Sequence, residues 1–198
     1  MIKGSLQRVS EWISRHYSMP WMLVLLLAAA GFFWLFNFSS LPISNRAMVK
    51  LSGHEGLLDL RLYYTAREAF TTLSHYGAAG REMYPKFFAA DFVFIPIYSL
   101  GLAFLMTRFI RAGFPGDTSR LWLNLLPLGI GILDGVENLF ILTMLRLYPD
   151  TNVVIGTLSG IATLCKFLLT FLASLCLVYL VIVLAMRRLG LKPRANRQ

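Results

Sequence analysis

Histidine, cysteine and charge are scarce in this chain of 198 residues, and each scarcity removes a class of chemistry. The three histidines, His16, His54 and His75, all fall outside the long apolar runs. That excludes bis-histidine haem and most intramembrane zinc sites, and it leaves a Ser-His hydrolase without its base. The two cysteines, Cys165 and Cys176, share the last apolar run. About 16 Å of helical rise separates them, too far for a disulfide, so they are read as packing residues. No CxxC pair, Gly-rich phosphate loop, GxSxG elbow or aspartate-rich prenyl-diphosphate motif is present.

Charged residues make up only 15% of the chain against 57% hydrophobic residues, and several apolar runs are long enough to cross a bilayer. The net charge of +9 invites a nucleic-acid reading. Lysine and arginine stand at the ends of apolar runs rather than along one soluble face, so no nucleic-acid partner is expected. In a membrane protein such residues set orientation and touch anionic head groups.

The fold class that follows is an all-α integral membrane protein, a four-transmembrane-helix bundle forming a single membrane domain over 1–198. Spans are expected at about 20–38, 87–107, 121–145 and 153–186, with a long outer loop at 39–86. The first apolar run continues through GFFWLFNF past any Ala-x-Ala site, so it reads as an uncleaved signal anchor. Ahead of it, Ile2, Leu6, Val9 and Ile13 recur at helical spacing among basic residues, which suits either an amphipathic helix on the cytoplasmic leaflet or a basic tail that sets topology. Within the outer loop, Leu58, Leu62, Ala66, Ala69 and Leu73 predict one amphipathic helix over 57–75, with Arg61, Tyr64, Glu68 and Thr72 opposite. Gly77 and Gly80 predict a turn after it. Pro96 is expected to kink the second span.

Both termini are placed in the cytoplasm of a plasma (inner) membrane. That arrangement puts eleven Lys and Arg in the inner segments and seven in the outer ones, which are longer.

The stretch that stands out is 121–145, LWLNLLPLGIGILDGVENLFILTML. Asp134, Glu137 and Asn138 interrupt its middle at i, i+3, i+4, so on a helix they share one face. A carboxylate at that depth costs about 2.5 to 3.5 kcal/mol on insertion scales, so two together need a partner, a proton or water. The last run carries a second polar stripe, Ser159, Thr163, Lys166 and Thr170, and a Gly156-x-x-x-Gly160 pair that permits close approach of another helix. Counting rise from the outer ends places Lys166 and Asp134 at about the same depth. One polar pocket is expected, with Asp134, Glu137 and Lys166 as catalytic candidates. Substrate-binding candidates are Asn138, Asp91, Tyr98, Tyr64, Glu68, Arg81 and Tyr84.

Two carboxylates against one lysine leave one negative charge uncompensated, and the expectation is that one is ion-paired and the other holds a proton. A cation would compete with Lys166, so no metal is expected, and no cofactor. Three functions fit these residues. The first is an enzyme or lipid-binding protein acting on a hydrophobic small molecule drawn from the membrane lipids. The second is a proton-coupled transport component, which at four helices calls for a homo-oligomer. The third is a non-catalytic assembly subunit whose polar stripes are interhelical glue.

Overall fold

The computed structural model describes residues 2–53 and 55–190, and among them it contains helices and no strands. His54 and the 191–198 stretch of the basic tail lie outside the described residues. Among the described residues seven α-helices run in chain order: α1 (Ile2–His16), α2 (Met19–Phe38), α3 (Asn45–Ser52), α4 (Ala66–His75), α5 (Gly77–Gly113), α6 (Leu126–Leu147) and α7 (Val153–Arg188). Short 3-10 turns at Leu58–Leu60 and Leu121–Leu125 precede α4 and α6. Four segments, Met19–Phe38, Gly77–Gly113, Leu121–Leu147 and Val153–Arg188, are long and apolar enough to cross a membrane.

The start signals are local. Ser18 caps α2 by accepting from the Trp21 amide at 3.3 Å, with Pro20 in the first turn, where its missing N–H costs nothing. Asn152 caps α7 in the same way through the Ile155 amide. Thr65 and Glu68 form a reciprocal capping box at the start of α4.

Several expectations are corrected. The single helix expected over 57–75 does not form. Residues 58–60 make a 3-10 turn, the chain is extended before Thr65, and α4 begins at Ala66, because the capping box fixes the start there. The expected faces change with it: Leu62 is 69% exposed while Tyr64 and Thr72 are buried. Of the two glycines expected to flank a turn, only Gly77, at φ +62°, breaks the helix. Gly80 is helical, and α5 runs unbroken from 77 through Pro85 and Pro96 to 113, well beyond 87–107. Cys165 is exposed rather than packed inside, and Cys176 is half-buried.

α6 packs most extensively on α7, and α5 touches α2, α6 and α7. An aromatic core built from Phe36, Tyr76, Tyr84, Phe87 and Phe88, with Ile141 and Met144, fills one end of the bundle. A second core around Met106, Ile110, Leu121, Ile130 and Leu180 fills the other. The polar residues of α6 and α7 fall between these two cores along both helices.

Candidate functional site

α6 presents Asp134, Glu137 and Asn138 to α5 and α7, and α7 presents Ser159, Thr163 and Lys166 to α6. The centre of the group is the Lys166 ammonium. Its Nζ donates to Asp134 Oδ1 at 3.0 Å and to the Asp59 carbonyl oxygen at 3.0 Å, and it meets Glu137 Oε2 at 2.5 Å. Its three donors therefore have three acceptors. The Lys166 side chain is 10% exposed, Asp134 13% and Glu137 0%. Both carboxylates engage the ammonium, where the sequence suggested a pair with one of them.

Each carboxylate is held on its other side as well. Tyr98 of α5 donates to Asp134 Oδ2 at 2.8 Å. Thr163 donates to Glu137 Oε1, and Tyr64 donates to the same atom at 3.4 Å while sharing a 2.6 Å hydrogen bond with Ser159. Glu137 Oε2 takes no hydrogen bond apart from its ion pair. One turn along from Asp134, Asn138 Nδ2 donates to Asp91 Oδ2 at 2.6 Å, and Asn138 Oδ1 is buried with no hydrogen-bond partner among the described residues.

Residues 57–65 form a strap that closes the group from the side. Inward, the Asp59 carbonyl meets Lys166, the Asp59 carboxyl accepts from Tyr84 at 2.7 Å, and Tyr64 reaches Ser159 and Glu137. The Tyr84 hydroxyl also accepts from the Leu58 amide at 2.7 Å. Outward, Leu60, Leu62 and Tyr63 are exposed. Burial pushes the Asp59 carboxyl above its ordinary range, with Lys166 opposing the shift. Burial and then the Glu137 charge push the Tyr64 phenol up, so it stays a donor.

The Gly156-x-x-x-Gly160 pair receives this strap. A Cβ on Gly160 would sit 2.0 Å from the Tyr64 carbonyl oxygen, and one on Gly156 would sit 2.9 Å from the Ala66 Cα. Gly156 admits the start of α4, the close approach of another helix expected from the motif, and Gly160 admits the backbone of the strap.

Asp134, Glu137, Asn138, Lys166, Asp91, Tyr98, Tyr64 and Tyr84 thus converge. Glu68 and Arg81 do not. Glu68 is exposed and serves the cap of α4, and the Thr65 amide and hydroxyl that it accepts from hold its carboxyl below the usual range. Arg81 donates to the Leu73 carbonyl at 3.0 Å and lies over the Tyr148 ring. Asp59, Ser159 and Thr163 also belong to the centre, beyond the site residues expected from the sequence. The signal for Asp59 was an acid inside the apolar run LLDL, and for the other two it was the α7 stripe.

Four of the chain's ten acids, Asp59, Asp91, Asp134 and Glu137, are gathered here around one lysine. Among the described residues no three His, Cys, Asp or Glu side chains are arranged to hold a metal ion. Comparison with protein-family models, with curated proteins and with solved structures finds no match.

Proposed function

We propose that this multi-pass membrane protein binds a hydrophobic, lipid-like molecule at the buried centre and acts on it by acid–base chemistry. The observation that carries the reading is charge accounting. Four carboxyls lie together with one ammonium, which touches only those of Asp134 and Glu137, and three uncompensated charges there would cost several kcal/mol each. The centre is therefore a place that holds protons, and a carboxyl holding a proton beside one that has lost it is the equipment of general acid–base catalysis.

The roles follow from the contacts. Asp134 and Glu137 are the acid and base. Lys166, with every donor engaged, fixes their positions. The unpartnered Asn138 Oδ1 is an acceptor for a hydroxyl or ammonium group on the substrate. The strap at 57–65 separates the centre from lipid, so the substrate arrives laterally as the strap lifts. Under the positive-inside rule the N- and C-termini face the cytoplasm.

One observation favours a second reading, a non-catalytic subunit: Lys166 has all its donors satisfied and Glu137 is engaged on both oxygens, as interhelical glue requires. Native mass spectrometry of gently purified protein separates the two, with Asp134→Asn and Glu137→Gln measured beside the wild type. A defined lipid or isoprenoid retained by the wild type and lost in both variants supports the first reading. No ligand in any variant, with the variants only less stable, supports the second.

A further inference from the structure

A second feature lies at the opposite end of the bundle from the strap. α1 is folded back across this end and is tied to it by three hydrogen bonds. Asn124 Nδ2 donates to the Ser10 carbonyl at 3.1 Å, and Arg111 donates to the Ser14 carbonyl at 2.7 Å and to its hydroxyl at 2.8 Å. Ile13 is buried beneath the helix, while Leu6, Val9 and Trp12 are exposed. An apolar outer face ending in tryptophan is the signature of a helix resting in the membrane–water interface.

Between α1 and the start of α6 the structure leaves a groove of about 1080 Å³, at the upper end of the sizes that hold a small-molecule or cofactor ligand. α1 and the 114–120 connection supply its polar lining, Gln7, Glu11, Arg15 and Ser119, beside the apolar Leu6 and Trp122, and Leu125, Leu126 and Leu169 supply apolar lining alone. Gly129 lets Leu169 pack against α6: a Cβ there would meet Leu169 Cδ2 at 2.9 Å. Partly polar on one side and apolar on the other, the lining matches an amphiphile with its head at the boundary and its chain along α6 and α7.

Charge chooses the head group. Arg8, Arg15, Arg108, Arg111 and Arg120 belong to this end of the bundle, against Glu11 and Asp117. Both acids are already neutralised. Glu11 accepts from Gln7 at 3.0 Å and from Arg15 at 3.2 Å, and Asp117 pairs with Arg120. Arg15 is 76% exposed and keeps donors free for a second anion. A zwitterionic head would bring its ammonium into a field that is net positive.

We infer that this groove is a binding site for one anionic phospholipid of the bilayer, with its phosphodiester at Arg15 and an acyl chain over Leu125, Leu126 and Leu169. The site is separate from the acid centre and does not depend on what that centre does.

Trp122 lines the groove and is 58% exposed, so it can report the occupant. Trp12, Trp21 and Trp34 are exposed as well, and replacing each with Phe leaves Trp122 as the only tryptophan. This full-length single-Trp protein is reconstituted into phosphatidylcholine vesicles containing a fixed fraction of acyl-brominated lipid, supplied either as phosphatidylglycerol or as phosphatidylcholine. Quenching of Trp122 is then compared with and without Arg15→Gln. The expected result is that brominated phosphatidylglycerol is preferred by about five-fold, the effect of one basic side chain on an anionic lipid, and that Arg15→Gln removes the preference. Equal quenching by the two lipids in the parent protein would overturn the inference, because the groove would then be ordinary bilayer contact. A preference left undiminished by Arg15→Gln would overturn it too, since the phosphodiester would then not sit at Arg15.

Discussion

Replacing Lys166 with methionine keeps an unbranched, flexible side chain one heavy atom shorter and removes the ammonium, with its charge and its donors. The consequences can be worked from the contacts. Asp134 Oδ1 and the Asp59 carbonyl each lose a donor at 3.0 Å, and Glu137 Oε2, which has no hydrogen bond of its own, loses its ion-pair partner at 2.5 Å. Removing one member of a buried pair leaves an uncompensated charge and costs about 3 to 5 kcal/mol. Here one ammonium serves two carboxylates, so the upper part of that range is expected. Denaturant titration of the purified protein in a fixed detergent, followed by tryptophan fluorescence, measures the loss. The double variant Lys166→Met with Glu137→Gln provides the internal check. The neutral amide removes one orphaned charge, so the double variant should regain at least about 1 kcal/mol relative to Lys166→Met, within the usual range of couplings between contacting residues. A loss below about 1 kcal/mol for Lys166→Met, the scale of an exposed ion pair, would refute the reasoning, and so would a double variant no better than the single.

Two further expectations concern the strap. Gly160→Ala places a Cβ 2.0 Å from a backbone oxygen that can move only with residues 63–65, so it should cost about 1 to 3 kcal/mol and speed amide hydrogen exchange over 57–66; Gly31→Ala, with nothing within 4 Å, is the control and should leave that exchange unchanged. Asp59 keeps its proton to higher pH in the folded chain than in the unfolded one, where it titrates near 3.8. Its contribution to stability is therefore complete below that pH and declines as pH rises through the folded value. Stability of Asp59→Asn should fall less between acid and neutral pH than that of the wild type, and an unchanged slope would contradict the assignment.

The bundle was legible because a membrane span announces itself by length: runs near 20–38, 121–145 and 153–186 became α2, the α6 segment and α7 with ends shifted by a few residues. Rise per residue also put Asp134 and Lys166 at one level, and they stand 3.0 Å apart. The strap was not legible. Leu58, Leu62, Ala66 and Ala69 have perfect helical spacing, yet Leu58 is buried and Leu62 exposed because the chain between them is a 3-10 turn followed by extended backbone, not an α-helix. What decides that stretch is non-local: the Tyr84 hydroxyl accepts from the Leu58 amide, Lys166 holds the Asp59 carbonyl, and Gly160 receives the Tyr64 backbone. Asp59 was missed for the same reason, since its partners lie 25 and 107 residues away. Glu68 and Arg81 looked like site residues because polar side chains near a proposed pocket draw attention, but their work is in the local cap and the packing of α4 against α5.

The most direct measurement of the acid centre is infrared difference spectroscopy of the carboxyl groups in protein reconstituted into nanodiscs at pH 7. Wild type is compared with Asp134→Asn and Glu137→Gln, with and without added total membrane lipid extract. If the centre holds exchangeable protons for a hydrophobic substrate, the wild type should show a protonated-carboxyl band that shifts on ligand addition and changes in both variants. No protonated carboxyl at pH 7, or a band that neither ligand nor substitution alters, would show that the buried acids only bind the helices together.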